Sequence, residues 1–244
     1  RSIFNKITIT YPQNLETAQY LKILKANKIS HLGNLKFAEN FEENLDKINI
    51  HLNNELTKKK VWVASSTHKR EELFCAKAHA HLRKKVKNLI TIIIPRHIHR
   101  SKDIISEIEN LGLKVSSHSS KPRSLKNTDI YIVDTFGETK KFHKISCSVF
   151  LGGSLIDKGG QNPLEAARFG AKILHGPNTD NFRDVYNLLK SLKVSKKIHT
   201  PKQLASSVTF RKNTIKGNKI KNIGQNILKK TIKELDYFII NESK

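Results

Sequence analysis

The residues best suited to hold a ligand crowd into a few short segments. Gly152-Gly153-Ser154 is followed closely by Gly159-Gly160-Gln161-Asn162-Pro163-Leu164-Glu165-Ala166-Ala167. Asn162 stands where a helix N-cap is expected, Pro163 at the first helical position and Glu165 at the third. A helix start offers free N–H groups and the positive end of a dipole, so it can hold a phosphate. Glu165, on the first turn, can accept hydrogen bonds from two neighbouring ribose hydroxyls. The same residues also read as a capping pair that only satisfies backbone donors. The four glycines just upstream favour a ligand, because glycine lets backbone approach a bound group closely.

Three further segments have the same strand-then-turn character. Pro95-Arg96-His97 directly follows an apolar run, and Arg96 is placed to fork onto a phosphate or carboxylate. A surface arginine beside a turn is its plain alternative. In Asp134-Thr135-Phe136-Gly137-Glu138, Gly137 can admit a base or ribose against the backbone, and Glu138 also suits the start of a helix. Ser65-Ser66-Thr67-His68-Lys69-Arg70-Glu71-Glu72 brings hydroxyls and a helix start to the same place. Ser66, His68 and Lys69 there, with Gly152, Gly153 and Ser154, are candidates for the donor side of a site, although a lone histidine is more often structural. No two aspartates stand in a DxD spacing, so a metal-chelated diphosphate is not suggested and no metal ligands are assigned. No GxGxxG follows the first strand and no Walker motif occurs, which disfavours ordinary dinucleotide and nucleoside triphosphate sites. A metal-free site must neutralise a leaving phosphate with Arg, Lys and helix ends.

The elements that position these segments alternate. Strands are expected at Val61–Ser65, Leu89–Ile94, Leu113–Ser117, Asp129–Val133, Ser148–Leu151, Ala171–Leu174 and Lys193–Ile198. Helices are expected at Lys69–Val86, Lys102–Leu111, Glu138–Lys144, Pro163–Phe169, Asp180–Ser191, Gln203–Phe210 and Ile215–Ile240. Apolar strands alternating with helices argue for an α/β fold, a parallel sheet covered on both faces. Ligands bind such sheets at the carboxyl ends of the strands, where the unusual residues lie. Upstream, Ile7–Tyr11, Asn14–Asn27 and Ile29–Leu32 read as a β-α-β piece too small to bury a core alone. Ala38–Lys60 is polar and reads as a helical linker.

The 244 residues allow one large domain, or one domain with part of another. The chain holds no methionine, so further residues are expected before Arg1. No run approaches the roughly 18 apolar residues that span a bilayer. Cys75 and Cys147 form no CxxC pair, and ordinary reduced thiols are expected. With 45 Lys+Arg against 21 Asp+Glu, the net charge of +24 attracts polyanions such as nucleic acid, anionic lipid or phosphorylated substrates, although it also fits compositional drift.

Taken together, the motifs resemble the 3-deoxy-D-manno-octulosonic acid (Kdo) transferases, which move Kdo from CMP-Kdo onto lipid A precursor (lipid IVA) in bacterial lipopolysaccharide synthesis. The resemblance rests on Gly33-Asn34-Leu35-Lys36-Phe37, the Ser65–Glu72 segment, Pro95-Arg96-His97, Val133-Asp134-Thr135 with Gly137-Glu138, Gly152-Gly153-Ser154, Gly159–Ala167, and Gly176-Pro177 with Asn181-Phe182. It runs over nearly the whole chain, in the family's order. It implies a GT-B glycosyltransferase fold with a Rossmann-like parallel sheet, and an inverting, metal-independent transfer. CMP would be held by Pro95 and Arg96, by Phe136, Gly137 and Glu138, and by Asn162, Pro163, Leu164 and Glu165. No cofactor is implied, since CMP-Kdo is a substrate.

The resemblance also divides the chain. Residues 1–37 would be the last β-α-β piece of an N-terminal acceptor domain, 38–60 a linker, and 61–244 the C-terminal CMP-sugar-binding domain. The family's catalytic base lies upstream of Arg1, so none is assigned here, and the chain alone is expected to transfer no Kdo. The partners implied are CMP-Kdo, lipid A precursor and the anionic surface of the bacterial inner membrane at its cytoplasmic face. Arg70 occupies a usual glycine, Gln161 a usual histidine, Ala166 a usual proline and Phe136 a usual methionine, and Asn178 and Asp180 also depart from the common pattern. The alternatives are another GT-B transferase using a UDP-sugar, or a basic nucleic-acid-binding module. The latter lacks a helix-turn-helix or aromatic platform, so no nucleic acid is expected.

Overall fold

The computed structural model describes residues 3–38 and 47–242 and divides the chain into two compact units. The first unit takes the described residues of Arg1–Phe41 together with those of Lys219–Lys244, and the second takes those of Glu42–Asn218. The sequence reading runs the second domain from Val61 to Lys244. The contacts instead assign the described residues from Lys219 onward to the first unit and add the helix before Val61 to the second.

In the first unit, helix α1 (Leu15–Ile23) starts at Asn14, whose side chain accepts the N–H of Thr17 at 2.8 Å. The flanking strands expected at Ile7–Tyr11 and Ile29–Leu32 reduce to a single parallel bridge, Thr10 to Ile29. Among the described residues no third strand extends the pair, and an isolated two-stranded pair is marginal by itself, so only one residue pair reaches ladder geometry. Gly33 (φ +117°) lies against Ile227, and a Cβ there would come within 2.9 Å of the Ile227 side chain. Of the linker expected at 38–60, residues 39–46 lie outside the described residues. Its end forms helix α2 (Ile50–Thr57), which buries Leu52 and Leu56.

The second unit is built on seven parallel strands. The strands and the helices between them run, in chain order, β1 (Lys60–Thr67), α3 (Glu71–Leu82), β2 (Leu89–Pro95), α4 (Ser101–Glu109), β3 (Val115–Ser117), β4 (Ile130–Ile132), α5 (Thr139–Ile145), β5 (Ser148–Leu151), α6 (Leu164–Arg168), β6 (Lys172–His175), α7 (Arg183–Ser191), β7 (Ser195–Lys197) and α8 (Pro201–Ser207); the last helix, α9 (Thr214–Glu242), begins in this unit and continues into the first. The sheet order is β3-β4-β2-β1-β5-β6-β7. β2 is buried at every position, as its run of β-branched residues requires between two parallel neighbours. Trp62, Ile93, Phe150 and Leu174 join Ile104, Ile130 and Leu204 in the main core. α3 packs with α4 and α8, and α5 packs with α6. Among the described residues, no helix is long and apolar enough to cross a membrane.

The order places one topological switch point. From β1 the chain moves to β2 on one side and later returns to β5 on the other. In open parallel sheets the crevice for a ligand opens beyond the carboxyl ends of the two strands at this point. Here that means the turns after Thr67 and Leu151.

Candidate functional site

The switch-point turns are bound to each other by a carboxylate. Glu71, on the first turn of α3, is 1% exposed and accepts four backbone N–H groups. One oxygen takes those of His68 (3.0 Å) and Gly153 (2.7 Å), and the other takes those of Ser154 (3.1 Å) and Leu155 (2.9 Å). Three successive amides converging on an anion form a nest. The sequence reading places Gly152, Gly153 and Ser154 among residues that face a donor. Their backbone donors are instead committed inside the protein: Gly152 N–H bonds to Ser65 O at 2.9 Å, and the next two go to Glu71. The Ser154 hydroxyl is also internal, donating to Leu151 O and accepting from Gly176 N–H at 2.8 Å. Gly152 is required by contact, since a Cβ there would lie 2.2 Å from Ser66 O.

Cationic side chains gather beside this nest. Arg96 and His97 follow the buried Pro95 and are exposed, and the Arg96 N–H is held by Thr67 O at 2.9 Å. The rings of His68 and His97 meet edge to face with centroids 5.7 Å apart. Burial holds the His68 imidazole below the ordinary histidine range. Glu71 opposes that shift, and His97, Arg96 and Lys158 add to it. His68 Nε2 is buried without a hydrogen-bond partner among the described residues. The structure therefore brings together His68 and Arg96 from the sequence-derived set, and adds His97 and Lys158. Ser66 lies in the irregularity between Ser65 and Thr67 with φ +54°, and Lys69 is exposed. The charges of Arg96 and Lys158 beside one unpaired imidazole nitrogen suit an anion such as a phosphate. Among the described residues, no three His, Cys, Asp or Glu side chains are placed to hold a metal ion.

The second part of the site lies after β4 and β5. Phe136 is 81% exposed, and Gly137 (φ +82°) has open space where a Cβ would stand. Glu138 pairs with Lys141 at 3.0 Å, one turn into α5. Asp134 accepts the N–H of Ser119 at 2.8 Å, so it serves the turn beyond β3. The helix expected from Pro163 begins at Leu164, with Pro163 as its N-cap and Asn162 Oδ1 accepting the Leu164 N–H at 3.0 Å. Leu164 is 0% exposed, so its side chain belongs to the core. Glu165 is half-buried, and one of its carboxylate oxygens lies 2.6 Å from Nδ1 of the buried His143 on α5.

Sequence reasoning missed Glu71, His143 and Lys158. Glu71 looks like an acidic residue favoured by a helix dipole, and its partners are 82 to 84 residues downstream. His143 is one of several polar residues on a short helix. Lys158 stands in a glycine-flanked turn, and its position before Gly159 was the one available signal.

A parallel sheet of order β3-β4-β2-β1-β5-β6-β7 with its polar and cationic residues at the switch point defines an α/β protein with a Rossmann-like fold. No family model matches the sequence. Over 230 residues it is 32% identical to the 3-deoxy-D-manno-octulosonic acid transferase of Rickettsia prowazekii, covering 93% of this chain and 48% of that protein. With the Haemophilus influenzae transferase of the same name it shares 31% over 163 residues, covering 66% of this chain and 38% of that one. In three dimensions it matches the C-terminal CMP-Kdo binding domain of WaaA from Acinetobacter baumannii with a TM-score of 0.61 and 23% identity, covering 73% of this chain and 94% of that one. The chain belongs to the 3-deoxy-D-manno-octulosonic acid transferase family. It spans about half the length of the curated relatives it matches.

Proposed function

We propose that this protein supplies the CMP-Kdo-binding half of a glycosyltransferase that moves Kdo from CMP-Kdo onto lipid A precursor, lipid IVA, in lipopolysaccharide synthesis. The transfer is inverting and uses neither metal nor cofactor. It runs at the cytoplasmic face of the bacterial inner membrane, where anionic lipid attracts a chain of net charge +24.

The observation that carries the reading is the grouping of His68, Arg96, His97 and Lys158 beside the β1–β5 switch point. Bond cleavage leaves CMP with a developing phosphate charge, and preorganised cations can stabilise it without a metal. Arg96, backed by Pro95, takes the phosphate. Phe136, Gly137 and Glu138 take the cytidine base side, and Asn162 through Glu165 the ribose. The family membership and the match to a CMP-Kdo binding domain support CMP-Kdo as the donor.

Calorimetric titration with CMP, UMP and UDP, each with and without EDTA, tests the reading. CMP is expected to bind best, with an affinity that EDTA leaves unchanged. Preference for UDP would favour the UDP-sugar alternative, and loss of binding in EDTA would overturn the metal-free site.

A further inference from the structure

The geometry points to His143 as a positioning residue that fixes Glu165 for a ribose diol. The inference rests on the ribose role of Glu165 proposed above. His143 lies on α5 and Glu165 on α6, two helices that pack together after different strands. Their side chains meet at 2.6 Å, His143 Nδ1 to Glu165 Oε1. An ionised carboxylate only accepts, so Nδ1 donates. His143 is 4% exposed and Glu165 is 28% exposed, so the imidazole is a buried support and the carboxylate a reachable group.

This arrangement has a consequence for binding. A free glutamate has several rotamers, and a ligand that needs one of them must select it. Holding one oxygen on a buried imidazole removes most of that freedom before the ligand arrives. The remaining acceptor capacity of the carboxylate then meets two adjacent hydroxyls without rearrangement. A contact that only tied α5 to α6 would serve any ligand equally. A contact that aims Glu165 serves only ligands that carry the diol.

Affinities for CMP and for 2′-deoxy-CMP, measured on the wild-type protein and on Glu165→Gln, His143→Ala and His143→Asn, separate these roles. The wild type is expected to prefer CMP, and Glu165→Gln to lose that preference. His143→Ala is expected to weaken CMP by about three- to tenfold, the scale of one side chain freed from its bound rotamer, and 2′-deoxy-CMP by less. His143→Asn, whose amide nitrogen stands near the place of Nδ1, is expected to restore most of the preference. If Glu165→Gln leaves CMP affinity unchanged, the ribose reading of Glu165 itself fails. If Glu165→Gln weakens CMP while a folded His143→Ala binds both nucleotides as the wild type does, or loses both equally, the positioning role alone is overturned. Should His143→Ala fail to fold, His143→Asn against His143→Gln carries the test, with the preference expected only in the former.

Discussion

Glu71 accepts the backbone N–H of Gly153 at 2.7 Å, across 82 residues of sequence. With the amides of His68, Ser154 and Leu155 on the same carboxylate, this contact closes the turn after β1 onto the turn after β5. The glycine-rich turn is thereby a filled anion nest. The positive charge left for a ligand is on the side chains of Arg96 and Lys158, with the imidazoles of His68 and His97 beside them.

Glu71→Gln is therefore expected to destabilise the fold strongly. Whichever way the amide points, its NH2 group faces two backbone donors that had an acceptor. Each buried donor left unsatisfied costs roughly 1–3 kcal/mol, so the loss is about 2–6 kcal/mol. Urea unfolding of the variant measures it. A change well under 1 kcal/mol, by the same scale roughly, would mean that the nest is open to water.

Arg70→Gly is expected to stabilise the protein. Arg70 precedes α3 with φ +81° and ψ −23°, a left-handed conformation that a side chain resists. The strain is of order 1–2 kcal/mol, and the greater freedom of an unfolded glycine cancels roughly 0.4–1 kcal/mol of the gain. A net rise between about 0 and 1.6 kcal/mol, centred at roughly 0.8, follows from the two figures. Arg70→Val, at the same exposed site, should lower stability instead. Paired denaturation curves check both signs.

The two residues also show what was legible in the sequence. Arg70 stood out as a replacement for a usual glycine, and its backbone is indeed glycine-like. The strands were legible because a parallel sheet buries both faces, so β2 and β5 read as largely apolar runs broken only by the small hydroxyl residues Thr91 and Ser148. Helix ends moved by one to four residues, as at α3 and α6, because capping is settled by local turns that the apolar pattern does not encode. The strand pair of the first unit shrank to one bridge for want of neighbours. Arg96 and Glu165 were legible as charged residues next to strand ends. Glu71, which joins the turns after β1 and β5, and His143, the partner of Glu165, were not, since each role depends on a partner far away in the chain.

Stability is expected to fall with acid. Burial pushes His79 and His175 from the ordinary 6.5 to about 4. Each is nearly or fully buried, His79 beside Thr91 Oγ1 at 2.8 Å and His175 against Gly176 O at 2.7 Å. The unfolded chain takes up a proton near 6.5 where the folded one does not, so the folded state loses stability as pH falls from 6.5 to 4. At roughly 1.4 kcal/mol per pH unit, each histidine contributes on the order of 3 kcal/mol over that window. Thermal melts between neutral pH and pH about 4.5 should show the decline, and His175→Gln should flatten it. A profile equally steep in that variant would remove His175 from the effect and leave it to His79 and the carboxylates.

Phe136→Ala is expected to weaken CMP binding and leave folding alone. Phe136 stands at the turn after β4 with 81% of its surface exposed. A large aromatic ring in that state adds almost no burial to the core, so truncation removes little stability. It adjoins Gly137, where a Cβ would meet nothing within 4 Å. A nucleobase laid over this backbone would cover the ring. Stacking of a base on an aromatic side chain is worth roughly 1–3 kcal/mol by alanine substitution, or about 5- to 150-fold in affinity. Phe136→Leu keeps the apolar surface and loses the stacking face, so it should fall between the two. The measurement is CMP affinity set beside the unfolding midpoint for all three proteins. Equal affinity for wild type and Phe136→Ala would remove Phe136 from the site, whereas a lowered midpoint with equal affinity would assign it to the fold.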